Sequence, residues 1–378
     1  MAHTRSESSA LSRTATDAAT RLSDLRAWMA NQGLEAAYIT RPVSIAYLTG
    51  FQADPHERLM ALAVRADRAT LIVPALERDH AAGRSKEADV VGWRDGEDPY
   101  VLVLEALDQC ARLGVEKEHL TVQAAEALRA RVAANELVDV APEVRRLRRT
   151  KGPEELEKLD RACVITDATT DEVMQNLRAG QTELAVAVAV GAAIAEYGAT
   201  HSFETLVQSG TNSALPHHRP SSRMLKAGDL VLLDFGAAFE GYRADTTRMA
   251  VVGEPNARQL EIHDLVLRAH DAAIKAVRAG VTTGDVDAAA RKVIVAAGLG
   301  DRFFHRVGHG LGLEAHEDPS LDPGSNTVLE AGMVFTIEPG VYIPQWGGVR
   351  IEDDVVVEEA GCRVLTNASR NLRMVGRG

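Results

Sequence analysis

The spacing of apolar positions near the start of the chain predicts alternating helices and strands. Leu22, Leu25 and Met29 would lie on one face of a helix that ends at Gly33, and a strand follows over residues 37–40. Further short apolar runs, with charged turns or helical stretches between them, continue the pattern over residues 59–64, 70–73 and 98–134. The alternation indicates an α/β domain over residues 21–144, after a disordered start over residues 1–20.

A charged stretch separates this domain from a second one, predicted over residues 145–378. Apolar periodicity lapses between Pro142 and Pro153, where basic residues accumulate. The basic residues are Arg145, Arg146, Arg148, Arg149 and Lys151. Their place between two domains favours a solvated or interdomain charged segment over a phosphate-binding patch.

The second domain contains an internal repeat. Two long helices, predicted over residues 154–177 and 262–277, are each followed by the tripeptide Arg-Ala-Gly. Downstream of each tripeptide, a glycine-led apolar strand ends in an acid, which is Asp234 in the first half and Glu338, 104 positions later, in the second. The repeat predicts an α+β domain built from two similar halves.

A second acid follows in each half, Asp245 in the first and Glu352 in the second. If a pseudo-twofold axis relates the halves, the four acids would meet at one point although they are far apart in the sequence. Duplication therefore explains how a single site could collect them.

Composition restricts the function. The 378 residues have a formal net charge of −12, which argues against a nucleic-acid partner because phosphate binding needs an accumulated basic face. The three cysteines, Cys110, Cys163 and Cys362, lack the paired spacing of zinc or redox sites. The start of the chain has no signal-peptide core, and the longest apolar run is too short to span a bilayer. We therefore expect a soluble cytoplasmic protein that has no membrane partner.

Five residues of the second domain are candidate metal ligands: Asp234, Asp245, His309, Glu338 and Glu352. Four carboxylates at one point would repel each other strongly, and two divalent cations would balance their charge. Oxygen ligands select hard or borderline cations, and one imidazole tilts the choice towards transition metals. A pair of such ions can polarise a carbonyl and acidify water, which is the chemistry of amide hydrolysis.

A histidine-rich segment supports a site in the same region. His305, His309 and His316 follow one another at intervals of four and seven, and glycines on both sides of His309 permit close approach of the backbone to a ligand. A single histidine would more often be a hydrogen-bonded core residue, whereas three with such glycines favour a site.

These motifs resemble those of the pita-bread metallopeptidases, and within them the Xaa-Pro dipeptidases (prolidases) and Xaa-Pro aminopeptidases. The resemblance covers nearly the whole chain, with a creatinase-type N-terminal domain before the catalytic domain. The matching motifs are Leu-Leu-Asp-Phe-Gly, Ala-Asp-Thr-Thr-Arg, Gly-His-Gly-Leu-Gly-Leu, Ile-Glu-Pro-Gly and Arg-Ile-Glu-Asp, which contain the five candidate ligands in order.

The resemblance implies a pair of divalent ions, with Mn²⁺ as the first expectation and Co²⁺ or Zn²⁺ as alternatives. It also implies how the ligands are shared. Asp245 and Glu352 would bridge both ions, Asp234 would bind one, and His309 with Glu338 would complete the other.

The resemblance further implies catalytic roles. Glu338 would shuttle a proton, and His217 and His316 would contact the substrate and stabilise the oxyanion. His305 would line the pocket for the proline ring.

Substrate length is a separate question. A dipeptidase must recognise the free carboxylate after proline, for which a cation is suited. Arg350 is a candidate, although its nearness to Glu352 makes a role behind that ligand equally consistent. The segment with His56 and Arg58 resembles family loops that reach the cleft of a partner subunit, which implies a homodimer; the alternative is an ordinary charged surface loop.

We predict an Xaa-Pro dipeptidase that acts on Xaa-Pro dipeptides or short proline-containing peptides. The main alternative is an Xaa-Pro aminopeptidase that acts on longer peptides. A methionine aminopeptidase would lack the preceding domain. A creatinase-like hydrolase or a non-catalytic binding module of this fold would have lost ligands that this chain retains.

Overall fold

A six-stranded sheet forms the centre of the first unit in the computed structural model, which describes residues 17–376. Its strands are β1 (Ala36–Ile39), β2 (Ala61–Arg65), β3 (Ala69–Pro74), β4 (Asp89–Trp93), β5 (Arg112–Val115) and β6 (Glu136–Asp139). The helices are α1 (Ala18–Asn31), α2 (Pro42–Thr49), α3 (Arg78–Arg84), α4 (Tyr100–Leu107), α5 (Val122–Val132) and α6 (Ala141–Arg149). The strand order is β4-β3-β2-β1-β5-β6; the β1/β2 and β2/β3 pairs are antiparallel and the other pairs are parallel.

Helices cover both faces of this sheet. Apolar residues of α1, α2 and α6 pack on one face, and those of α4 and α5 pack on the other. α1 begins after Asp17, whose carboxylate caps the helix by accepting a hydrogen bond from the Thr20 amide at 2.9 Å. Of the segment expected to be disordered, residues 1–16 lie outside the described residues and residues 18–20 are helical.

α6 connects the two units. Val144 and Leu147 on its apolar face are buried in the core of the first unit, whereas Arg148 and Arg149 bind the second unit. Leu147 therefore packs with the first unit, and the predicted boundary between residues 144 and 145 stays a prediction.

The second unit combines four helices with several small sheets. The helices are α7 (Pro153–Asn176), α8 (Glu183–Glu196), α9 (Ala257–Ala276) and α10 (Thr283–Ala296). The strands are β7 (Thr200–His201), β8 (Leu206–Ser209), β9 (Leu230–Phe235), β10 (Ala237–Phe239), β11 (Tyr242–Arg243), β12 (Thr246–Val252), β13 (His309–Gly310), β14 (Glu317–Ser320), β15 (Val334–Ile337), β16 (Gly340–Ile343), β17 (Gly347–Arg350), β18 (Asp353–Glu358), β19 (Gly361–Val364) and β20 (Arg373–Val375). Short 3₁₀ helices lie at Gly210–Ala214 and Gly300–Arg302 in this unit and at Ala75–Glu77 in the first unit.

The principal sheets of this unit follow the two halves of the repeat. The first half contributes β12, β9 and β8 to a sheet of order β20-β12-β9-β8, whose edge strand β20 follows the second half. The second half contributes a sheet of order β14-β13-β15-β18-β19, and smaller sheets are β11-β10-β7 and β16-β17. Apolar residues of α7 and α8 pack on the first sheet, and those of α9 and α10 pack on the second. α9 begins at Ala257, before its predicted start at residue 262, because Asn256 and Gln259 form a capping box.

The repeat extends to the backbone conformation. Gly180 and Gly280, the last residues of the two Arg-Ala-Gly tripeptides, both have a φ of 86°. Gly228 and Gly332, which precede the two acid-bearing strands, both have a φ of 87°. These matched left-handed turns confirm the predicted duplication.

The two halves meet at Thr247 and Glu352. An antiparallel bridge joins these residues, and the Glu352 amide donates a hydrogen bond to Thr247 O at 3.2 Å. Asp245 lies directly before β12, and Glu352 lies directly before β18. The bridge therefore brings together the second acid of each half.

Two further features concern membrane-spanning helices and cysteines. Among residues 17–376, no helix has both the length and the apolar character needed to cross a membrane. Cys110, Cys163 and Cys362 are all free thiols, and the first two are buried.

Candidate metal centre and catalytic cavity

A cavity of about 700 Å³ lies where the two halves meet. Its lining includes every site residue predicted in the second domain: Asp234, Asp245, His309, Glu338, Glu352, His217, His305, His316 and Arg350. Apolar side chains complete the wall, among them Phe203, Leu215 and Phe304. The fold thus collects residues that are separated by more than a hundred positions in the sequence.

Three of the predicted ligands offer atoms at separations suited to a metal ion. Asp245, His309 and Glu352 each contribute one atom, and these atoms lie within 4.8 Å of one another. His309 Nε2 lies 3.8 Å from Asp245 Oδ2 and 3.3 Å from Glu338 Oε1. His309 Nδ1 lies 3.1 Å from Gly310 O, which favours the tautomer whose Nε2 lone pair faces these carboxylates.

Arg350 binds Asp234 directly and Glu352 through Thr247. Its Nη2 forms an ion pair with Asp234 Oδ2, its Nη1 donates to Tyr342 Oη at 2.8 Å, and its Nε donates to Thr247 Oγ1 at 2.9 Å. Thr247 Oγ1 in turn donates to Glu352 Oε2 at 2.6 Å. Because its guanidinium is occupied by these groups, Arg350 is better placed to hold ligands than to bind a substrate carboxylate.

Burial and mutual repulsion perturb the acids of the cavity. Burial raises the pKa values of Asp245 and Glu352 well above their ordinary range, and neighbouring carboxylates raise both further. Burial raises the pKa of Glu338 to about 7. Burial also raises the pKa of Asp234, although the Arg350 guanidinium acts in the opposite direction. Four buried acids at such close range call for a compensating positive charge.

The donor set fits divalent cations. Asp245 Oδ1 is buried and accepts no hydrogen bond from any residue in the described range 17–376. Burial lowers the pKa of the His309 imidazole well below its ordinary value, so the ring is neutral and its lone pair is available. A divalent ion would bind these groups, which are an oxygen that accepts no hydrogen bond, a neutral imidazole and three further carboxylates.

The three histidines outside the ligand set surround this centre. The His316 ring makes an edge contact with His309, with ring centroids 4.1 Å apart and an interplanar angle of 86°. His305 packs against Phe303 and Tyr342, with centroids 5.0 Å and 5.5 Å away. Burial lowers the pKa of His305 to about 4, so this ring is neutral near pH 7.

A buried acid that the sequence analysis missed holds the loop that carries His217. The Glu183 carboxylate accepts hydrogen bonds from Ser209 Oγ at 2.6 Å, Ser221 Oγ at 2.6 Å and Asn212 Nδ2 at 3.0 Å. Although burial acts to raise it, these bonds hold the pKa of Glu183 below its ordinary value. Glu183 thereby ties both ends of the His217 loop to α8.

Three further residues of the site also escaped the sequence analysis. Thr247 lies two positions after Asp245, and the alternation of a strand, which places both on one face, was a usable signal. Tyr342 binds Arg350, and no spacing pattern distinguishes it from a core tyrosine. Arg306 lines the cavity beside His305 without any motif of its own.

His56 and Arg58 lie apart from the cavity of their own chain. His56 is exposed, and Arg58 forms an ion pair with Asp95 on the surface of the first unit, with Nε 3.0 Å from Oδ1. Neither residue lines the cavity. Their predicted role in the cleft of a partner subunit stays a prediction.

The fold and the site define a metal-dependent peptidase with two structural units, and comparison with known proteins gives the family. Residues 157–359 match metallopeptidase family M24, and residues 21–150 match the creatinase/prolidase N-terminal domain. The chain is 38% identical over 362 residues to an Xaa-Pro dipeptidase from Lactobacillus helveticus, which covers 94% of this chain and 98% of that protein.

Two solved structures are also similar. An Xaa-Pro dipeptidase from Bacillus anthracis has a TM-score of 0.89 and 33% identity, covering 95% of this chain and 100% of that chain. An X-Pro aminopeptidase from Thermotoga maritima has a TM-score of 0.86 and 31% identity, covering 94% and 99%.

The chain therefore belongs to metallopeptidase family M24. The predicted creatinase-type N-terminal domain and pita-bread catalytic domain are confirmed. Enzymes of this family use divalent metals, in agreement with the donor set of the cavity.

Proposed function

We propose that this chain is an Xaa-Pro dipeptidase, which hydrolyses the bond before a C-terminal proline. It would use two divalent ions, for which Mn²⁺ is the first candidate. The observation that carries the proposal is the cavity itself, which collects five ligands and three further histidines. The similarity to named Xaa-Pro dipeptidases supports the substrate class.

The residues that would hold the ions are Asp234, Asp245, His309, Glu338 and Glu352. Ions held there supply Lewis-acid polarisation of the scissile carbonyl and acidify water. The protein's own groups then move protons and orient the substrate.

Glu338 is suited to proton transfer because its carboxylate lines the cavity beside the other candidate ligands, where it could accept a proton from water. His217 and His316 line the same cavity and would stabilise charge on the carbonyl oxygen. The proline nitrogen carries no N–H in the peptide, so it must receive a proton before it leaves, and Glu338 would deliver it.

The pocket for the proline ring would be aromatic. Phe304, His305 and Tyr342 form one cluster, with Phe304 and Tyr342 centroids 5.5 Å apart. The neutral His305 ring would contact the proline ring without the cost of burying a charge.

Arg306 would bind the substrate carboxylate. It lines the cavity, and among residues 17–376 it has no carboxylate as an ion-pair partner; its Nη1 donates to Ser320 Oγ at 2.8 Å. A guanidinium in this position can donate hydrogen bonds to a free carboxylate. Among Xaa-Pro substrates, only a dipeptide has its free carboxylate on the proline.

An Xaa-Pro aminopeptidase is the second candidate, because a similar structure carries that name and because a cavity of about 700 Å³ is large for a dipeptide. We further propose a cytoplasmic homodimer without a nucleic-acid partner, in which His56 and Arg58 close the neighbouring cavity. The exposure of His56, the three free cysteines and the net charge of −12 support these points.

Three substrates test the proposal. The enzyme should cleave Ala-Pro at least about tenfold more efficiently than Ala-Pro-Ala or Ala-Pro amide, since one charge-assisted contact is worth about 1.5–3 kcal/mol. Arg306→Met should remove this preference, whereas Arg302→Met, on an exposed 3₁₀ helix, should not. Equal or faster cleavage of Ala-Pro-Ala would favour the aminopeptidase, and no cleavage of any of the three would exclude both.

A further inference from the structure

The basic residues between the two units bind one short part of the catalytic unit, residues 314–318, here named the His316 segment. Arg148 Nη2 lies 2.9 Å from Glu314 Oε2 and also forms an ion pair with Glu317 Oε1. Lys151 Nζ lies 3.5 Å from Glu317 Oε2. Further ion pairs to the segment are Arg41 with Glu314 at 2.7 Å, Arg149 with Asp318 at 3.0 Å and Arg145 with Asp318 at 3.5 Å.

Glu317 is the innermost acid of this network. The exposed fractions of the side chains of Arg148, Lys151 and Glu317 are 4%, 1% and 5%. The Glu317 carboxylate also accepts a hydrogen bond from the Glu314 amide at 2.9 Å, so the segment is folded back on itself. Because a buried charge without its partner is strongly destabilising, these charges hold each other in one arrangement.

His316 lies inside this segment, between Ala315 and Glu317. Its ring lines the cavity and contacts the ring of His309. The acids at positions 314 and 317 are anchored on either side of His316, so their ion pairs fix the backbone from which the imidazole projects. Arg148 itself does not line the catalytic cavity.

We propose that Arg148, through its ion pair with Glu317, is a positioning residue that holds His316 in the catalytic cavity. The first unit, whose core contains the apolar face of α6, is thereby part of the catalytic apparatus. The effect on rate rests on the proposed function. A displacement of about 1 Å in a catalytic group can reduce the rate about a hundredfold, so loss of the anchor should be visible in kcat.

The first test is kinetic. Arg148→Met should lower kcat for Ala-Pro by about tenfold to a hundredfold with little change in KM, because His316 would act on charge that develops in the transition state. In a His316→Ala background, the same substitution should change kcat less than about twofold, since the group it positions is absent. Glu317→Gln, which keeps the shape of the side chain, should reproduce the kcat loss.

The matched control is Arg146→Met, on the same helix, because Arg146 pairs with Glu143 and not with the His316 segment. Its kcat should stay at the wild-type value. Wild-type kcat in both Arg148→Met and Glu317→Gln, or an Arg148→Met loss that persists fully without His316, would overturn the proposal.

A second readout does not depend on activity. Amide hydrogen exchange of residues 314–318 should be at least about tenfold faster in Arg148→Met than in Arg146→Met. If the wild-type protein fails to cleave Ala-Pro, the proposed function fails while exchange still tests the anchor. Unchanged exchange in the Arg148 variant would contradict the anchor even in an active enzyme.

Discussion

Glu338→Gln is expected to stabilise the metal-free protein. Burial raises the pKa of this carboxyl from 4.5 to about 7, so the folded state binds a proton more tightly than the unfolded state does. Stability is therefore lost as pH rises through the window between these two values, and the loss is complete above pH 7. A shift of about 2.5 units corresponds to about 3 kcal/mol.

The substitution removes this penalty. At pH 8 after chelation, Glu338→Gln should melt about 6 °C above the wild type, and at pH 4.5 the difference should vanish. Mn²⁺ at a thousand times its Kd should reverse the order, because it adds about 4.1 kcal/mol to the wild type and little to the variant.

Calorimetry of both proteins, with and without Mn²⁺, measures these shifts. Glu330→Gln is the control, since Glu330 is exposed and outside the cavity. If chelated Glu338→Gln melted at or below the wild-type temperature at pH 8, the electrostatic account of the cavity would be wrong.

Two further substitutions test the framework around the ligands. Gly308→Ala should weaken Mn²⁺ binding by at least about tenfold in titration calorimetry, because a Cβ there would lie 1.8 Å from Thr336 O and force the neighbouring proposed ligand His309 to move. The control Gly361→Ala, whose Cβ would meet nothing within 4 Å, should bind normally. Arg248→Met should lower the free energy of unfolding by about 3–5 kcal/mol in urea titrations, because it removes a charged partner of the buried Asp353. Asp353 Oδ1 lies 2.6 Å from the Arg248 guanidinium. A loss under about 1 kcal/mol would contradict this prediction.

The predicted ligands that the fold collects in the cavity could be named from the sequence because each lies in a short motif. Asp234 and Glu338 also end apolar strands at matching positions of the repeat, so a local pattern and the duplication indicated the same residues. Some helices were harder to predict from the sequence than the site residues. α2 (Pro42–Thr49) is apolar on nearly all sides, and its only local signals were the proline at its start and Gly50 at its end.

Contacts between distant residues could not be predicted in this way. Arg148 and Glu317 are 169 positions apart, and neither lies in a pattern that names the other. Arg350 was weighed between two roles, and only its contacts with Asp234 and Tyr342 distinguish them. Such pairs depend on how the units pack, which local spacing does not encode.

The most direct test of the account is the number of divalent ions that the folded protein binds. Chelated protein dialysed against Mn²⁺ and then analysed by elemental mass spectrometry should retain two ions per chain, and Asp245→Asn, which alters a proposed ligand, should retain fewer than one. Wild-type protein that retains one ion or none would contradict the dinuclear site on which the proposed hydrolysis depends.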